Sequence, residues 1–155
     1  RKEFEFLLTG SREIRSNSRK EFEDIINRGN FEEIKSHNGA NLIKKLYKSS
    51  QNSNDGFRRK NMPSLLYRYF KNISLTFANL DKIVKKNGSI FIVVGDSFTV
   101  KDGNKISIPT TKILQEIGCE IGWKLKEKFP ISVTTENLNH SKQSITTNHI
   151  LFFKK

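Results

Sequence analysis

At 155 residues the chain has the length of one domain, and its 12 phenylalanines can fill a fair core. A formal net charge of +12 favours polyanions, meaning nucleic acid or an anionic membrane surface, although a lysine-rich composition also serves plain solubility. The single cysteine, Cys119, excludes an internal disulfide and a cysteine-rich zinc site. Without a signal peptide or a long apolar run, the sequence reads as cytoplasmic, neither secreted nor membrane-spanning.

Residues 1–8 carry Phe4, Phe6, Leu7 and Leu8 and read as the end of a buried helix stopped at Gly10, as in a piece of a longer protein. Arg12, Arg15 and Arg19, with Ser16 and Asn17 between them, can hold phosphates or form a solvated loop. Residues 19–28 form a modest amphipathic helix through Phe22, Ile25 and Ile26, ended at Gly29. A second short one covers 41–47 through Leu42, Ile43, Leu46 and Tyr47. Residues 49–61 combine polar turn formers with Phe57, Arg58, Arg59 and Lys60, and read as a mobile, exposed loop. Those cations can grip a nucleic-acid backbone beside an aromatic ring, or face solvent.

The chain is organised around residues 72–98. A helix over 64–86 places Leu66, Tyr69, Phe70, Ile73, Phe77, Leu80, Ile83 and Val84 on one face, with Asn87-Gly88 as its stop. Residues 89–94 are apolar without alternation, the pattern of a strand buried on both faces of a parallel sheet. The strand ends in Gly95, Asp96 and Ser97. Ligands of open α/β sheets sit beyond such strand ends, so these residues are the candidate pocket edge, or else a local turn.

Residues 99–101 and 105–108 flank Asp102-Gly103-Asn104, a hairpin signal. A helix then starts at Pro109, capped by Thr110 or Thr111, buries Ile113, Leu114 and Ile117, and stops at Gly118. Cys119 beside it is expected to be a buried thiol. Residues 120–129 alternate as a half-buried strand, residues 134–144 form a polar loop, and residues 148–153 make a last apolar strand. The last two strands, joined without a helix, should be antiparallel. Residues 1–62 thus form a helical basic segment with a loop near 49–61, and residues 63–155 an α/β half-domain.

No Gly-x-Gly occurs, no two prolines adjoin, and His37, His140 and His149 fall at no metal-ligand spacing. His149 reads as a structural or surface histidine. Ser97 lacks a nucleophile elbow.

Tyr69-Phe70, Leu80, Lys86-Asn87-Gly88, the run 90–94, Gly95-Asp96-Ser97, Gly103, Ile106, Gly118 and the run 150–154 together resemble the carboxyl-terminal half of class I methyltransferases. The segment 7–19 also resembles the region after the catalytic tetrapeptide in such enzymes. The nearest likeness is to the site-specific DNA amino-methyltransferases of restriction-modification systems, acting on cytosine N4 or adenine N6.

The resemblance implies the distal half of a Rossmann-like sheet ending in an antiparallel strand pair. It implies S-adenosylmethionine as cofactor and DNA as partner, with the target base flipped from the stack. The family's Asp/Ser/Asn-Pro-Pro-Tyr/Phe tetrapeptide and glycine-rich cofactor loop match no position of this sequence, so no catalytic residue is assigned. Gly95, Asp96 and Ser97 are then expected at the pocket edge, and Arg12, Arg15, Arg58, Arg59 and Lys60 on the DNA backbone. The missing half of the sheet or a second chain is an expected partner. A non-catalytic nucleic-acid-binding domain, or a class I methyltransferase acting on RNA or protein, are the competing expectations.

Overall fold

The computed structural model describes residues 16–50, 56–101, 103–132 and 147–155. Within them the chain is mixed α/β. Helices α1 (Ser16–Arg28), α2 (His37–Ser50), the single turn α3 (Phe57–Lys60) and α4 (Met62–Ile83) come first. Strand β1 (Ser89–Gly95) and the hairpin β2 (Ser97–Lys101) and β3 (Asn104–Ile108) follow. Helix α5 (Thr110–Glu120) then leads to β4 (Lys124–Ser132) and β5 (Thr147–Lys154).

Helix α1 is held by an Arg19–Glu23 ion pair of 2.7 Å at i,i+4 and stops at Gly29, whose φ of 72° suits a residue without Cβ. Helix α2 starts four residues earlier and runs three further than the 41–47 pattern suggests: Ser36 caps its start, and at its end the Ser49 and Ser50 hydroxyls donate back to the Leu46 and Tyr47 carbonyls. Pro63 sits in the first turn of α4, where its missing N–H costs nothing. The buried face of α4 is Leu66, Tyr67, Phe70, Ser74 and Phe77. Two residues of the expected face lie off it: Tyr69 is exposed, and Ile83 is 79% exposed where the helix ends. That end comes three residues earlier than expected. Val84 turns extended, and Asn87, not Gly88, takes the left-handed conformation with φ 63°. Gly88 is needed for a different reason. A Cβ there would lie 2.5 Å from Val84 Cγ1 and 2.7 Å from the Lys85 carbonyl oxygen.

The main sheet has the order β1-β5-β4, with both pairs antiparallel. This corrects the expectation of a parallel strand buried on both faces. Ile90 and Val94 point into the core, whereas Phe91 and Val93 are each 61% exposed. Phe91 stacks on Phe152 of β5 with centroids 4.7 Å apart. An unbroken apolar run does not reveal which of its faces is covered. Among the described residues no helix covers the outer face, and the second edge of β1 has no strand against it.

Helices α4 and α5 bring Phe70, Phe77, Ile113 and Ile117 together with Leu151 and Phe153 of β5. Ile26, Ile43 and Leu46 extend this core into α1 and α2. Gly118 is an interior residue of α5, not its stop. A Cβ there would meet the Phe153 ring at 2.9 Å and the Trp123 ring at 3.3 Å, so the missing side chain lets helix and sheet approach. Gly122, with φ 108°, makes the turn instead, and β4 begins at Lys124 rather than 120. The last strands are antiparallel, as expected. The hairpin also forms as expected, with Gly103 at φ 77°.

Candidate functional site

Strand β1 ends at Gly95, opposite Asn148 of β5. Asp96 follows on the surface, and Ser97 opens β2 opposite Ile108. Asp96 does not cap a local turn. Its Oδ1 accepts a 2.8 Å hydrogen bond from the backbone N–H of Thr111, in the first turn of α5. A carboxylate there satisfies an orphan amide and faces the positive end of the helix dipole. This corrects the expected threonine cap. Pro109 occupies the N-cap position, no local side chain caps the helix, and the Thr110 hydroxyl donates back to the Ile108 carbonyl at 3.3 Å.

The basic turn comes to the same end of the molecule, because α3 packs against β2. Arg59 and Lys60 are exposed there. The stretch expected as loop over 49–61 is therefore helical at Ser49 and Ser50 and again over α3, with residues 51–55 outside the described residues. Arg12 and Arg15 lie outside them too, as does the side chain of Arg58. Phe98, next to the tip, carries the Lys105 ammonium 3.8 Å from its ring centroid.

Buried polar atoms without a hydrogen-bond partner among the described residues adjoin this end. Thr111 Oγ1 is on the residue Asp96 holds. Asn61 Oδ1 immediately follows α3. His149 Nδ1 belongs to the residue opposite Val94. Such atoms are uncommon in folded proteins. None of the three was legible as a site residue in the sequence.

A second polar cluster was also missed. Glu116 of α5 reaches the start of α2, where its Oε2 accepts from the Ser36 hydroxyl at 2.6 Å and the Asn38 amide at 3.1 Å, and its Oε1 accepts from the Asn38 side chain. Ser36 itself is the N-cap, since its Oγ accepts from Gly39 N–H at 2.9 Å. Burial pushes the Glu116 carboxyl up, but these hydrogen bonds outweigh it and hold it below its ordinary value. An open recess of about 700 Å³ lies here, lined by Ile34, His37, Lys44, Glu116, Cys119 and Glu120 among others. Cys119 is exposed on its wall, which corrects the expected buried thiol. Among the described residues no group of histidine, cysteine and carboxylates is placed to hold a metal ion.

Neither this recess nor one at the opposite end of the sheet is lined by Gly95, Asp96 or Ser97. No helix among the described residues is long and apolar enough to cross a membrane. No protein-family model, curated protein or solved structure matches the chain.

Proposed function

We propose that this chain is the distal part, as fragment or subunit, of a DNA methyltransferase that moves a methyl group from S-adenosylmethionine to an exocyclic amine of a DNA base. The observation that carries the reading is the order of elements around the sheet. A helix leads to β1, a polar tip, a hairpin, a helix and an antiparallel pair, with β5 set between β4 and β1. The family resembled by the sequence ends its sheet in such a pair. The cationic turn α3 beside the hairpin, at the carboxyl end of β1, agrees with a polyanionic substrate.

In this reading Gly95, Asp96 and Ser97 border the pocket of the flipped base, and Arg12, Arg15, Arg58, Arg59 and Lys60 hold DNA phosphates. Asp96 is a positioning residue, because its carboxylate is bound to Thr111 and fixes the tip against α5. Among the described residues nothing at the tip forms a cradle for S-adenosylmethionine. The sequence holds no Gly-x-Gly, and neither recess described above reaches the tip. The cofactor and the catalytic tetrapeptide therefore belong to a segment outside this chain, which would pair with the open edge of β1 and cover Phe91 and Val93.

The absence of a Pro-Pro motif favours one competing reading, a non-catalytic nucleic-acid-binding domain. The coding DNA next to the Arg1 codon separates the two, followed by a methyl-transfer assay on the intact product. A Pro-Pro-Tyr or Pro-Pro-Phe tetrapeptide upstream, a glycine-rich loop further back and label transferred to DNA are the expected result. A start codon at Arg1 with no partner gene overturns the methyltransferase reading in favour of binding alone. Label transferred to RNA or protein instead of DNA overturns the substrate.

A further inference from the structure

At the end of the sheet opposite the Gly95–Ser97 tip, two strand ends and a turn gather lysines. Ser89 of β1, Lys154 of β5 and Lys124 of β4 stand in one row across the sheet. Residues directly opposed in antiparallel strands project from one face about 5 Å apart, and like charges so placed repel. Lys126 sits at the bulge between Leu125 and Glu127, where the irregular backbone re-aims a side chain. With Lys86, Asn87 and Lys155 these lysines line a recess of about 480 Å³.

The frame of this recess is stiff. Asn87 N–H donates to the Lys155 carbonyl at 3.0 Å, and Lys155 N–H donates to the Gly88 carbonyl at 3.2 Å. Lys154 Nζ donates to the Asn87 carbonyl at 3.1 Å and to Ser89 Oγ at 2.9 Å. Lys155 pairs with Asp81 at 3.2 Å. Among the described residues Lys86, Lys124, Lys126 and Lys154 pair with no carboxylate. On the face that carries the lysine row, Glu127 stands one position further along, opposite Phe152.

We propose that this lysine recess is a second nucleic-acid site that takes the phosphate backbone. The lysines come from three separate places, the turn after α4, the start of β4 and the end of β5, and a run of successive phosphates can meet all three where a single small ion cannot. Lysines are point charges without the planar fork that reads base edges, so contact is with backbone and independent of sequence. Phe91 and Phe152 stand one position along the same face, and a lipid-docking surface also sets cations beside an apolar face, so the vesicle arm of the test below separates the two ligands. The recess lies about 20 Å from the tip, the length of a seven-residue strand. The inference therefore stands apart from the methyl-transfer reading.

The test is the affinity for a fluorescent mixed-sequence DNA duplex, measured over a range of salt concentrations. Three proteins are compared: the unaltered chain, K86A/K124A/K126A, and the charge-matched K20A/K45A/K48A on α1 and α2. The recess variant should bind on the order of tenfold more weakly near 0.1 M salt, with the slope of log K against log salt reduced by about 2 to 3. The control should keep the original slope to within about 1. An unchanged slope in the recess variant overturns the site. An equal fall in both variants also overturns it, because bulk charge then suffices. Binding to anionic phospholipid vesicles that requires these lysines, with DNA binding unaffected, overturns the choice of ligand. R59A/K60A acts at the other end, so its loss of binding beside an unaffected recess variant refutes this site alone.

Discussion

Asp96 and Thr111 are joined across the end of β1 by a 2.8 Å hydrogen bond from amide to carboxylate, and through it the polar tip is fixed to helix α5. The same helix carries Glu116, which caps α2. One line of contacts thus runs from the tip through α5 to the amino-terminal helices. Each joint is a carboxylate placed on a helix start by tertiary structure.

Replacing Asp96 with alanine removes both hydrogen bond and charge from the start of α5. The expected loss is about 1 kcal/mol, in the range of an ordinary N-cap. Asp96→Asn, which keeps an acceptor, should lose less. Urea denaturation of both variants checks this, and an alanine variant as stable as the parent would show that the amide is equally well served by water.

Glu116→Ala should cost about 1 kcal/mol by uncapping α2 and freeing the Ser36 hydroxyl. Because the folded Glu116 carboxyl titrates below its ordinary value of 4.5, its contribution is present above that value and fades as pH falls through the folded pKa. The stability difference between parent and Glu116→Gln should therefore narrow from pH 7 towards pH 3. A gap that stays constant over that range would remove ionisation from the explanation.

Asp81 accepts from Trp123 Nε1 at 2.8 Å and pairs with Lys155. The indole hydrogen bond, then that of the Lys155 ammonium, outweigh the opposing effect of burial and hold the carboxyl below its ordinary range. Phe77 stacks on the same indole at 4.9 Å. Trp123→Phe keeps the stack and removes the N–H, so it should lower the urea midpoint at pH 7 and do so less at low pH, where Asp81 is protonated. An equal loss at both pH values would assign the effect to packing instead.

Gly118→Ala should cost about 1–3 kcal/mol, because the added methyl meets the ring of Phe153, which is fully buried and has nowhere to swing. Thermal unfolding measures it. This position also shows what a sequence conceals. Gly118 reads as a helix stop because glycine often closes helices, yet its role is close approach, which depends on Phe153, a residue far along the chain. The hairpin at Gly103 and the stop at Gly29 were legible because both depend on neighbours in sequence. Asp96 was placed correctly at the strand end, but its partner Thr111 could not be read from local spacing. The lysine recess assembles from a turn and two strand ends, so only strand order and register reveal it. The exposure of Phe91 and Val93 was hidden for the same reason, since an apolar run looks alike whether one face is covered or both.

Those two residues carry the last prediction. An edge strand without charges, next to a sheet face with Phe91 and Val93 largely exposed, is a template for association. Purified alone, the chain should show concentration-dependent association by light scattering despite its charge of +12. Val93→Lys puts a charge on the outer face of β1 and should shift the equilibrium to monomer, whereas Lys45→Glu on α2 should not. A clean monomer at high concentration would show that the edge and face are already protected. It would also count against the open sheet edge as the joint to a missing half.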